Sequence, residues 1–128
     1  MKNMHVAVCV TGGIAAYKAV IFIRKLIKAN AEVKVIMTEE AATFVTPLTF
    51  KTISRNQVYY ENSQQQGIVE HVELAKWTDI AVIIPATANT IGKLANGIAD
   101  NFATTCLIAM NCPKFIVPAM NDKMYDNQ

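Results

Sequence analysis

Four short apolar runs, HVAVCV (5–10), EVKVIM (32–37), DIAVII (79–84) and KFIV (114–117), are strung along the chain with stretches of helical periodicity between them. The first is rich in valine and almost continuously apolar, as a strand covered on both faces must be. After it, AAYKAVIFIRKLIKAN places Ala16, Ala19, Val20, Ile23, Leu26 and Ile27 on one helical face, with Lys18, Lys25 and Lys28 opposite and Asn30 as a left-handed stop. Strands that alternate with helices predict parallel pairing, because each crossover must carry the chain back before the next strand begins. The expected fold is an α/β, doubly wound parallel sheet of Rossmann or flavodoxin-like type, with helices on both faces.

The remaining segments fit that plan with different degrees of definition. Thr38 reads as a helix N-cap, with Glu39 and Glu40 as first-turn acids that suit the helix dipole. FVTPLTFKTIS reads as a broken helix and QVYY as a short edge strand, while NSQQQG (62–67) is a polar loop. IVEHVELAKW has helical spacing, and TIGKLANGIADNFATTCLIAM forms one long helix or two short ones. Ile21 falls among the lysines of the first helix; one misplaced apolar residue on a surface helix usually means nothing and only slightly raises the chance of a subunit contact there.

Composition narrows the function. A chain of 128 residues without linker, repeat or low-complexity tract is expected to form one domain, residues 1–128. No apolar stretch reaches the about 18 residues of a membrane span, and MKNMHVAVCVTGG lacks a signal-peptide cleavage site, so a cytoplasmic protein off the membrane is expected. Twelve basic and ten acidic side chains give a formal charge of +2, too slight a bias for nucleic acid. Cys9, Cys106 and Cys112 form no CxxC pair and read as buried thiols, and with only His5 and His71 no metal site is expected.

In a doubly wound sheet every strand-to-helix turn lies at the carboxyl edge, so TGGIAA, MTEEA, PATANT and PAMN share one neighbourhood. Gly12 and Gly13 let the backbone turn tightly and approach a ligand, with helix amides behind them for an anion. IIPATAN and IVPAMN echo each other, each baring backbone amides and offering an asparagine. TGGIAA is neither G-x-G-x-x-G nor a Walker sequence, and the second strand ends in Met37-Thr38 rather than an acid, so NAD and ATP are disfavoured. A mononucleotide with one phosphate fits better, with Thr87, Asn89 and Thr90 as donors. Trp77 and Phe44 read as core aromatics.

TGGIAAYK, HVELAKW, PATANTIGKLANGIADN and PAMNDKMY together resemble, in order and spacing, the signatures of the homo-oligomeric flavin-containing cysteine decarboxylases, over essentially the whole chain. The GGIAAYK turn and the Ala119 of PAMN are most similar to the bacterial branch that decarboxylates 4'-phosphopantothenoylcysteine to 4'-phosphopantetheine in coenzyme A biosynthesis, often as the amino-terminal part of a bifunctional protein. The lantibiotic peptidyl-cysteine decarboxylases are similar too, but usually carry asparagine where this chain has Ala119. The resemblance implies FMN as cofactor, a substrate with a terminal cysteine, and assembly as a homo-oligomer, trimer or dodecamer. It further implies that the substrate thiol is oxidised to a thioaldehyde, which drives loss of carbon dioxide, and that the resulting ene-thiol is then reduced.

The same resemblance distributes roles. His71 matches the catalytic histidine and suits a base acting on the substrate, with Glu70 and Glu73 beside it. Asn121 matches the residue that holds the substrate carboxylate. Gly12, Gly13, Ile14 and Ala15 match the phosphate turn, Thr38, Thr87, Ala88, Asn89 and Thr90 match other FMN contacts, and Ala119 and Met120 match the lining of the flavin ring. Family members continue past the PAMN motif into a further strand and a flap with a reducing-step cysteine. Measured against them, the chain is expected to lack that flap, to bind FMN and to run at most the oxidative half. The competing readings are a peptidyl-cysteine decarboxylase, a non-catalytic flavin-binding regulatory protein, and a flavodoxin-like electron carrier.

Overall fold

The computed structural model describes residues 3–60 and 68–118. Its element order is β1 (His5–Val10), α1 (Tyr17–Lys28), β2 (Glu32–Met37), α2 (Pro47–Ser54), β3 (Val58–Tyr60), α3 (Ile68–Trp77), β4 (Ile80–Ala86), α4 (Ala88–Ala95), α5 (Phe102–Ala109) and β5 (Lys114–Pro118), with single 3-10 turns at Ile14–Ala16 and Ala41–Thr43. The strands form one five-stranded sheet in the order β3-β2-β1-β4-β5, all pairs parallel. The strand order therefore reverses between β1 and β4, as the doubly wound reading requires.

The side-chain alternation of the strands separates two cores. Val6, Val8, Val10, Val33, Val35, Met37, Val82 and Ile84 face one layer, where Ala19, Ile23 and Leu26 of α1 and Phe50 of α2 pack. Ala7, Cys9, Ile36, Ala81 and Ile83 face the other, against Leu74 of α3 and Ala103, Cys106 and Leu107 of α5. The period of two in each strand thus feeds both faces. Asn30 takes the expected left-handed conformation at φ 65°. The long helical run breaks into α4 and α5, because Gly97 adopts φ 67° and Asn101 caps α5, its side chain accepting from Thr104 N at 2.8 Å.

Three expectations change. The Thr38 hydroxyl accepts from Ala41 N at 3.2 Å, but no α-helix follows it: only the 3-10 turn Ala41–Thr43 forms, with Glu40 and not Thr38 at its N-cap position. A few residues on, Pro47 opens α2 and Thr46 is extended (ψ 151°), so at most two turns of helix could fit between Thr38 and Thr46. Phe44 is 46% exposed and belongs to no core, and Cys112 is only partly buried, whereas Cys9 and Cys106 are buried as expected. The polar loop read at 62–67 lies outside the described residues.

Candidate cofactor site

The site grows from the ends of β1 and β4. Thr11, 1% exposed, donates its hydroxyl hydrogen to the Pro85 carbonyl at 2.6 Å and accepts from the Thr87 amide at 2.9 Å. One side chain therefore fastens the two strand ends at the reversal of strand order. Thr87 next caps α4, its hydroxyl accepting from Thr90 N at 3.2 Å and donating to the Thr90 hydroxyl at 3.1 Å. On the other side, Thr38 N donates to Val10 O at 3.1 Å, which sets the end of β2 level with β1.

Between these ends opens a cavity of about 380 Å³, lined by Thr11, Gly12, Thr38, Glu39, Glu40, Thr43, Thr87, Asn89, Thr90 and Asn101. That is within the range of small-ligand sites. The wall carries hydroxyls, amides and two carboxylates, and among the described residues no lysine, arginine or histidine lines it. With no cation in that wall, an anion here would have to be met by backbone N–H groups, hydroxyls and the amino end of α4. Gly13 follows at φ 118°, and space is open where a β-carbon would point, so a ligand can approach the backbone. Among the described residues no three His, Cys, Asp or Glu gather as a metal site requires, and no helix is long and apolar enough to cross a membrane.

Of the residues singled out from sequence, Gly12, Thr38, Thr87, Asn89 and Thr90 meet in this wall. Gly13, Ala15 and Ala88 continue the same two turns without lining the cavity, and Ile14 belongs to the first of them. His71 is half-buried in α3, outside the wall. Because α3 delivers the chain to the amino end of β4, its first turns, including His71, stand toward the carboxyl edge. Ala119, Met120 and Asn121 lie outside the described residues. Sequence reasoning missed Thr11, Glu39, Glu40, Thr43 and Asn101 as members of the wall. Asn101 carried a readable signal, an asparagine three residues before Thr104 at a helix start, whereas the contacts of Thr11 span 74 and 76 residues and carried none.

Trp77 sits at the opposite edge. His5 stacks on it with ring centroids 4.4 Å apart, its Nδ1 lies 2.9 Å from the Trp77 carbonyl, and the Lys34 ammonium rests 4.4 Å above the indole. Trp77 thus packs structurally, as expected, well removed from the turns.

A doubly wound sheet with a hydroxyl-walled crevice and a glycine turn at its switch point defines a nucleotide-cofactor-binding α/β protein. More narrowly, the chain belongs to the Flavoprotein family, whose model matches residues 1–128. It is 51% identical to the coenzyme A biosynthesis bifunctional protein CoaBC of Bacillus subtilis, over 99% of this chain and 32% of that protein. It is 41% identical to the probable phosphopantothenoylcysteine decarboxylase of Streptococcus mutans, over 95% of this chain and 70% of that one. The chain therefore spans about a third of the bifunctional relative. Among solved structures, the FMN-dependent cysteine decarboxylase TvaF from thioviridamide biosynthesis superimposes with a TM-score of 0.86 at 32% identity, covering 94% of this chain and 76% of that chain. A PPC decarboxylase complexed with pantothenoylaminoethenethiol gives a TM-score of 0.74 at 30% identity, covering 98% of this chain and 72% of that chain.

Proposed function

We propose that the chain is an FMN-dependent phosphopantothenoylcysteine decarboxylase, a carboxy-lyase of coenzyme A biosynthesis that acts in the cytoplasm. The observation that carries the reading is the crevice at the β1/β4 switch point, whose wall of hydroxyls and side-chain amides, with the Glu39 and Glu40 carboxylates at one side, suits the hydroxyl-rich chain of a mononucleotide beside the Gly12 turn. The turn from Gly12 through Gly13, Ile14 and Ala15 would hold the phosphate through backbone amides. Thr38, Thr87, Ala88, Asn89 and Thr90 would hold the rest of the cofactor, with Ala119 and Met120 against its ring. FMN, when bound, supplies a two-electron acceptor and donor next to the substrate thiol. His71 takes a proton from the substrate, and Asn121 orients its carboxylate. Identity of 51% to the coenzyme A protein favours the small phosphorylated substrate over a peptide, even though structures of peptide-processing relatives such as the peptidyl-cysteine decarboxylase EpiD superimpose well, at a TM-score of 0.84.

Assembly into a homo-oligomer, trimer or dodecamer, belongs to the same reading. Tyr17 and Ile21 on α1, 57% and 51% exposed, and Leu48 on α2, 70% exposed, support it as apolar side chains left in solvent on one layer.

Carbon dioxide release from 4'-phosphopantothenoylcysteine, measured beside release from a cysteine-ended peptide, tests the activity. The phosphorylated substrate should react and the peptide should not, and His71→Asn should keep bound flavin while losing release. Release from the peptide alone would replace the substrate assignment, and full activity in H71N would remove His71 from the chemistry.

A further inference from the structure

The Gly12 turn is covered by one of the chain's own anions. A β-carbon built on Gly12 would lie 2.5 Å from Cδ, 2.6 Å from Cγ and 2.9 Å from Oε1 of Glu40, so the glutamate carboxyl occupies the space that glycine leaves open above the turn. The backbone of Glu40 is fixed, its carbonyl accepting from Thr43 N at 3.1 Å and from the Thr43 hydroxyl at 2.7 Å. The residue is nonetheless exposed, so its side chain can swing into water without moving that backbone. No cation in the described wall balances it.

We propose that Glu40 sets the affinity and selectivity of the Gly12 turn for a phosphate: its carboxylate lies on the turn as a displaceable anion that must leave before a phosphate monoester can settle there. This rests on the reading of the turn as the phosphate end of the flavin site. A phosphate and the Glu40 carboxyl cannot both occupy the space above Gly12, and a carboxylate that has moved only a few ångström aside still repels a phosphate. Glu40 therefore weakens binding of the phosphorylated cofactor but leaves its unphosphorylated form untouched, which narrows the preference of the site for FMN over riboflavin. Its neighbour in the sheet-edge turn, Thr38, has no such effect, because its hydroxyl is engaged with Ala41 N.

The test titrates flavin-stripped full chain with FMN and with riboflavin, following quenching of flavin fluorescence, in wild type, Glu40→Gln and Glu40→Ala. Glu32→Gln, which removes the same charge at the opposite edge of the sheet, controls for net charge. Both Glu40 variants should bind FMN ~3- to 10-fold more tightly at low salt, with riboflavin and E32Q unchanged, and the gain should shrink as salt rises. Unchanged or weaker FMN binding in E40Q and E40A, or an equal gain for riboflavin, would overturn the proposal. A parallel arm measures the rise in thermal midpoint caused by inorganic phosphate, which should be larger in E40Q than in wild type. If wild type takes no flavin at all, the cofactor reading fails, and this arm still decides on Glu40: an equal or smaller rise in E40Q would refute its role.

Discussion

Thr11, Gly12 and Gly13 are consecutive, yet each does a different job. Thr11 is buried and makes two hydrogen bonds to the far strand end, so Thr11→Val, nearly isosteric, leaves the Thr87 amide without its acceptor and should cost about 2 kcal/mol in denaturant unfolding. The two glycines should separate binding from stability. Gly12 lies outside the left-handed region, and the nearest atoms to its added methyl belong to the flexible Glu40 side chain, so Gly12→Ala should change stability by less than about 1 kcal/mol. The methyl would also stand where a phosphate approaches, so FMN affinity should fall tenfold or more, to ~1.4 kcal/mol in binding free energy. Gly13→Ala meets no atom but must adopt φ 118°, so it should lose about 1–2 kcal/mol of folding stability. Isothermal titration together with thermal melts of both variants checks the pair; equal losses of stability would refute the distinction. Residue types at the turns were readable because small side chains, hydroxyls and glycines have few other uses there. Glu39 and Glu40 were not. They follow a capping threonine and so suggest a helix dipole, whereas in the fold they precede only the single 3-10 turn Ala41–Thr43 and line the cavity.

At the scale of elements, β1 and β2 were legible to the residue, since an apolar run closed by a charged or glycine-rich turn has one plausible extent. The α2 segment was not, because a proline inside an apolar pattern suggests a break, although here it serves as the first residue of a helix capped by Thr46. What no local pattern announced is the brace at the amino edge. His5 N donates to the Asp79 carboxylate at 2.9 Å, Asp79 N donates to His5 O at 2.8 Å, and the His5 ring stacks on Trp77 at the end of α3. Residues 72 and 74 apart in sequence meet there, and tertiary pairing of that kind leaves no periodic trace. The brace fixes the end of the helix that carries His71. Because the ring is partly exposed, His5→Ala should cost only about 1 kcal/mol in urea unfolding. No change in the midpoint would show that the stack contributes nothing to α3.

For the whole molecule, the order β3-β2-β1-β4-β5 is what brings turns from distant parts of the sequence into one wall. Alternation of strand and helix predicted the parallel sheet, and the common direction of its strands put every strand-to-helix turn at the carboxyl edge. The edge strand β5 keeps Phe115, Ile116 and Val117 at 56%, 43% and 42% exposure, and Tyr17 and Ile21 stand out from α1, so the surface is more apolar than a lone domain favours. Sedimentation should accordingly give a trimer or a multiple of it, and Ile21→Lys should shift the distribution toward smaller species; a wild-type monomer at all concentrations would refute assembly. The most direct test of the flavin site is the visible absorption spectrum of the chain as purified. It should be yellow, with the two bands of an oxidised flavin, and denaturation should release FMN in near-equal amount to protein. A colourless chain that stays colourless after incubation with FMN would contradict the proposal that these strand ends hold a flavin phosphate.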